Sequence, residues 1–519
     1  MFLSLETATT NGVLGGLVLF DAAPDGERGP DEAFMRRRIT ERLDLLPPLR
    51  WRRAEVPFEL DHDYLVEADR IDVNAHIQTI SLPSPGTREQ LTDEVSRLMS
   101  VALVPGRPLW DLYVIEGLED GGIAHLLRIH HGVLDGGSMP VLWDFLADEP
   151  VASLTPKWPR PVTPEATGGT AEMLVRGLLA AGLRPARFLA FQAEMTGWLI
   201  RRLRQDAGTT IPAVIARLTP GELAAPLSAL LNLRQRRVGA PEIGPLVPTL
   251  RPPATPFGGK VSSRRSFVFA DLPLDDFQRV RRTLGATLND VVLAVCAGAV
   301  RRYLQSHGGV PDRPLIVCVP VSLRKRDDEF TWGNRVSMIF APFPTHLEDP
   351  LERVQFARHA VQKAKANFDE LPTDHLESAS RFLPEAFFAV PAKLMSAAPE
   401  WVPTLTSWNV VVSNVRGPAA PAHVAGTRVR GYWPASFLSP NGGLNITLQS
   451  YVDRVDFGFV AAREHAEDLD TLPDLLEEAL QELMAEADKV TVAAPKEPAG
   501  KTKPPTRSTT TRARRPAAG

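Results

Sequence analysis

Cysteine is almost absent: Cys296 and Cys318 are the two in 519 residues, each inside a run of Val, Ile, Ala and Leu. That excludes a disulfide framework and zinc-ligand spacing, and reads as reduced core packing. Long apolar runs are also missing. No stretch approaches the ~18–20 residues that span a bilayer, and the start lacks the basic-then-apolar pattern of a secretory signal, so the expected compartment is the cytoplasm. No glycine-rich phosphate loop is evident, which leaves phosphate contacts unassigned. The net charge is only −4, and no nucleic-acid partner is expected.

What is there describes a globular chain, with 44% hydrophobic and 23% charged residues. Its length is too great for one ordinary core, and two domains are expected. The charge is unevenly placed. Residues 491–519 hold seven Lys/Arg and one Glu, a local +6 that leaves −10 for residues 1–490. That tail, rich in Pro, Thr and Ala, is expected to be disordered, either simply solvated or weakly tethered to anionic lipid.

Residues 1–147 alternate strand-like pieces (15–20, 112–116, 123–129) with helix-like ones (31–43, 89–103). Pro150, Pro156, Pro159, Pro161 and Pro164 mark a connector, and a helical pattern follows from about Ala171 to Arg236. After a second Pro/Gly stretch, residues 263–490 again mix strands (266–270, 315–321, 336–340, 444–452, 456–460) with helices (274–284, 290–305, 351–368, 472–489). The spacing predicts a mixed α/β (α+β) chain: two halves, 1–147 and 263–490, joined by a long crossover, 148–262. Within the crossover, 186–204 is amphipathic, with Phe and Trp on one face and Arg on another. It is read as inter-domain packing or as a face resting on lipid.

The most informative segment is His130-His131-Gly132-Val133-Leu134-Asp135-Gly136-Gly137. A strand-like run precedes it and the helical spacing Met139, Leu142, Trp143, Leu146 follows, so the histidines are expected where a strand ends in a glycine-bearing turn. An imidazole there can take a proton near neutral pH and return it. If the segment is extended, His130 faces away from His131, and it is read as a support for the loop in preference to a second catalytic base.

This stretch resembles the His-His-x-x-x-Asp-Gly signature of the CoA-dependent acyltransferase superfamily. Pro108-Leu109-Trp110, Asn289-Asp290, the Val319–Arg324 and Gly333–Ser337 segments, and Ser413-Asn414-Val415-Arg416-Gly417-Pro418 follow in family order. Together they resemble the bacterial wax ester synthase/acyl-CoA:diacylglycerol acyltransferase family, from about residue 3 to about 480. One departure is the start, Met1-Phe2-Leu3, which falls inside the family's first strand region.

The resemblance implies two chloramphenicol acetyltransferase-like domains with the active channel between them, and an O-acyltransferase. Acyl-CoA would be the donor, and diacylglycerol or a long-chain alcohol the acceptor. No metal or other cofactor is expected, and contact with a membrane or lipid droplet is chemically reasonable. His131 would be the general base. Asp135 would pair with a distant arginine, Arg324, in a structural role. Gly136 and Gly137 would leave room for N–H groups near the oxyanion or serve as ordinary turn glycines. Asn289 and Asp290 would border the channel, although Thr287-Leu288-Asn289-Asp290 also has the form of a capping box. Pro108, Leu109 and Trp110 would be packing or channel wall, and Asn414 to Pro418 a supporting turn. The rivals are a related acyltransferase acting on a polyketide diol or carrier-bound amine, and a lipid-droplet protein without turnover.

Overall fold

The computed structural model describes residues 6–23, 29–149, 169–183, 252–323, 332–369, 408–438 and 443–493, apart from 8, 69, 181 and 466. Within them β1 (Val13–Phe20) is buried at every position. A strand covered on both faces takes a continuous apolar run, here broken only by Gly15 and Gly16. It pairs antiparallel with β6 (Ile123–His130), which pairs with β5 (Trp110–Glu116), and β5 lies parallel to β4 (Ile77–Ser81). A short antiparallel pair, β2 (Trp51–Ala54) and β3 (Tyr64–Glu67), stands apart. One face of this sheet packs on α1 (Glu32–Arg42) and α3 (Met139–Leu146), the other on α2 (Arg88–Met99) and on aromatic residues of the second half. The start of α2 carries a capping box, Thr87 with Gln90, that satisfies orphan N–H groups at both residues.

The second sheet has the order β7 (Arg265–Pro273), β14 (Arg454–Ala462), β13 (Leu444–Tyr451), β10 (Val410–Val415), β8 (Leu315–Ser322), β9 (Val336–Phe343). Its strands alternate cleanly. Val317, Val319, Val410, Val412, Leu444, Ile446 and Leu448 face a core filled by α4 (Leu274–Leu284), α5 (Leu288–Ser306), α6 (Pro350–Asp369) and α7 (Leu472–Ala493). The expected inward positions of α5, Val291, Val295, Ala299 and Tyr303, all lie in that core. The intervening residues of β8, β10 and β13 face the first sheet, because successive side chains point to opposite faces.

The mixed α/β expectation holds, but the halves interlock. The strands β11 (His423–Val424) and β12 (Thr427–Ala435) come from the second half and complete the first sheet, β12 pairing antiparallel with β1. This covers an edge of β1 that would otherwise present unpaired N–H and C=O groups. Asn414, read from the sequence as part of a turn, instead lies within β10. Among the described residues no single helix is long and apolar enough to cross a membrane. The tail, the 186–204 stretch and Arg324 lie outside the described residues.

Candidate active site

β6 ends at His130, and backbone bonds pin its end on both sides. His130 N–H donates to Leu109 O at 3.0 Å and His131 N–H to Gly12 O at 2.7 Å. The chain then turns, with Val133 N–H donating back to His130 O at 2.9 Å. The two rings part as alternation requires. His130 faces Gly12 and Glu6: Gly132 N–H donates to its Nδ1 at 2.9 Å, so Nε2 carries the proton and donates to Glu6 Oε1 at 3.0 Å. A Cβ on Gly12 would stand 2.6 Å from His130 Nε2, so this position has room only for glycine. Burial works against charge on Glu6, but His130, Gly12 N–H and Arg53 together hold its carboxyl below the usual range. The His130 ring thus links the loop at Gly132 to Glu6 and Gly12.

The His131 ring lines a cavity of about 350 Å³ between the two sheets. Leu14, Gly15 and Gly16 of β1 and Trp433 and Ala435 of β12 form one wall; Cys318, Val411, Val415, Asn445 and Gln449 belong to the opposite one. Phe437 meets the imidazole edge-on, with ring centroids 5.2 Å apart. Burial pushes His131 down to about 4, opposed by its own backbone carbonyl and by Asp135. The ring is accordingly neutral at pH 7 and holds a lone pair, which a base requires.

Asn334 reaches His131 from the segment before β9. Its Nδ2 lies 2.5 Å from His131 Nδ1 and donates to His131 O at 2.7 Å. The split between these contacts bears on the tautomer. An amide nitrogen only donates, so Nε2 is the free acceptor in the tautomer whose Nδ1 proton goes to His131's own carbonyl, the backbone bond that opposes the effect of burial.

Asp135 is fully buried, and its described hydrogen bonds go to the turn and to the segment before β9 rather than to the ring. Its Oδ1 accepts Ser138 N–H at 2.9 Å and Ser138 O–H at 2.7 Å; its Oδ2 accepts Arg335 N–H at 3.1 Å. The acid thus caps the turn into α3 and fastens the residue beside Asn334. Its expected partner Arg324 is outside the described residues. Gly136 and Gly137 line the cavity, and a Cβ on either would make ordinary contacts, 3.5 Å from Val415 and 3.6 Å from Asp135.

Other expected site residues fall elsewhere. Asn289 and Asp290 are not among the cavity walls. Asp290 accepts Thr287 N–H at 2.9 Å and its own N–H donates to Thr287 Oγ1 at 3.2 Å, the complete capping box of α5. Helix capping accounts for Asp290. Pro108, Leu109 and Trp110 are likewise absent from the walls. Trp110 is buried in the first core, donates to Leu49 O at 2.8 Å and stacks on His76 at 4.3 Å, so packing is its role. Asn414 does line the cavity. Sequence reasoning assigned no role to Glu6, Gly12, Asn334 or Phe437. Asn334 and Arg335 stood in a segment that carried the family resemblance, but nothing local tied them to the histidines.

Comparison with known proteins agrees with this geometry. The wax ester synthase/diacylglycerol acyltransferase catalytic domain matches residues 1–292, and the WS/DGAT C-terminal domain matches residues 332–484. An O-acyltransferase WSD of Acinetobacter baylyi is 31% identical over 489 residues, covering 93% of this chain and 94% of its own. A probable diacylglycerol O-acyltransferase of Mycobacterium tuberculosis is 32% identical over 494 residues, covering 93% and 97%. In fold the chain is similar to a wax ester synthase/diacylglycerol acyltransferase from Marinobacter aquaeolei, with a TM-score of 0.61, 24% identity, and 94% and 97% of the two chains covered.

Proposed function

The chain belongs to the wax ester synthase/diacylglycerol acyltransferase family, and from that footing we propose that it moves a long-chain acyl group from acyl-CoA to the hydroxyl of a diacylglycerol, a long-chain alcohol, or both. His131 is the general base. Its Nε2 takes the proton of the acceptor hydroxyl as that oxygen attacks the thioester carbonyl. The tetrahedral intermediate collapses, the C–S bond breaks, and the leaving CoA sulfur takes the proton from Nε2, which restores the neutral imidazole. Positioned base catalysis of this kind is typically worth ~10²–10⁴-fold. The thioester is already activated, so the step as written needs no metal.

The observation that carries this reading is a buried, neutral imidazole in a largely apolar cavity that both halves of the chain enclose. Excluding water there favours transfer to an alcohol over hydrolysis. A lipid surface is the proposed source of the water-insoluble acceptor. In support, Val175, Leu178, Leu179 and Leu183 follow helical spacing and are each more than half exposed. The test is ester formation and CoA release by the purified chain from palmitoyl-CoA with a panel of diacylglycerols and fatty alcohols. Absence of product with every acceptor would overturn the proposal.

A further inference from the structure

Buried N–H groups almost always have a partner, and those without one need an explanation. Among the cavity walls two side-chain donors have none among the described residues: Trp143 Nε1 and Gln449 Nε2. Trp143 is also a large part of the first core, so its donor and packing roles are mixed. Gln449 is cleaner.

Gln449 lies on β13, opposite Val415 of β10 in parallel register. Residues so paired point to the same face of a sheet, and Val415 sits 3.5 Å from where a Gly136 side chain would begin. The amide therefore belongs to the same end of the cavity as the turn after His131. It is 4% exposed. Its neighbours along the row are satisfied: Thr447 donates to Asn445 Oδ1 at 2.7 Å, and Asn445 donates to Phe437 O at 3.1 Å. Room for the Gln449 side chain comes from Gly417, where a Cβ would stand 2.9 Å from its Cγ and 3.0 Å from its Nε2. The Gly417 of the Asn414–Pro418 segment thus serves a residue on another strand.

We propose that the Gln449 amide, whose unpaired Nε2 rests buried beside Gly417 in the empty protein, turns about its last torsion to donate to an acyl carbonyl oxygen in the cavity. This rests on the acyl-transfer reading above. The oxygen has two sources, the thioester of the donor and an ester of a diacylglycerol acceptor; a fatty alcohol supplies neither ester. A buried unpaired amide destabilises the empty protein and is repaid when the ligand binds.

The experiment compares the native chain with Gln449→Met, which keeps length and shape but has no donor, using palmitoyl-CoA with a diacylglycerol and with hexadecanol. The native chain must first turn over, which tests the acyl-transfer reading separately. The expected result is a thermal midpoint equal to or above native, with kcat/KM about tenfold lower. Loss with both acceptors assigns the thioester carbonyl; loss with the diacylglycerol alone assigns its ester. Native kcat/KM with both acceptors overturns the proposal, and so does a fall in thermal midpoint that accounts for the loss.

Discussion

The amide of Asn334 lies 2.5 Å from the imidazole of His131 across 203 residues of sequence. It joins the turn after β6 to the segment that opens β9, so the base is aimed by the half of the chain that does not contain it. Asn334→Ala should leave the fold intact and lower kcat roughly 10–100-fold with little change in KM, because a base displaced by about 1 Å is a poor base. Steady-state kinetics of the variant check this; an unchanged kcat would remove Asn334 from the machinery.

Asp135 acts on the base through that same segment. Asp135→Ala removes the carboxylate bonds to Ser138 N–H, Ser138 O–H and Arg335 N–H. Hydrogen bonds to a charged group are worth ~1.5–3 kcal/mol each, so a loss of about 3 kcal/mol is expected in urea unfolding. Activity should fall with it as Asn334 is released. Full stability with lost activity would instead make the acid a chemical participant.

Asp290 gives the opposite pattern. As an N-terminal cap of α5, its replacement by Ala should cost about 1 kcal/mol of stability and leave kcat/KM within about twofold. A large kinetic effect at native stability would restore the channel role that its sequence neighbourhood suggests.

These contrasts show which parts of the site were legible in sequence. The His130–Gly136 turn and the Thr287–Asp290 cap are local: their chemistry and spacing are set within a few residues. The strands β8 and β13, which build part of the cavity wall, were legible as strands. Asn334 was not, because its contact with His131 is made by folding across half the chain. Nor was β12, whose pairing with β1 is a non-local exchange between halves that no periodicity encodes. Trp110 read as packing or channel wall because large aromatic residues suit both roles; its indole bond to Leu49 decides for packing.

Acid should weaken the fold through buried histidines. Burial pushes His125 and His131 down to about 4, while an unfolded histidine titrates near ~6.5. Between those values the unfolded chain binds protons that the folded chain does not, so their contribution is present above pH ~6.5 and lost as pH falls towards 4. His76 and His346 are shifted the same way by burial. Asp456 opposes them: burial raises it to about 7, against the pull of Arg454 and Tyr432 N–H. It binds a proton in the folded state across the same window. Asp456→Asn should therefore steepen the rise of stability with pH by about one proton, roughly 1.4 kcal/mol per pH unit. Urea titrations at pH 4.5, 5.5 and 6.5 measure the slope; an unchanged slope contradicts the assignment.

The most direct measurement is single-turnover acyl transfer from labelled palmitoyl-CoA by the native chain and by His131→Ala, each checked for native folding. Transfer by the native chain and a loss of at least ~10²-fold in the variant is the expected result. Equal ester from both proteins would contradict His131 as the base.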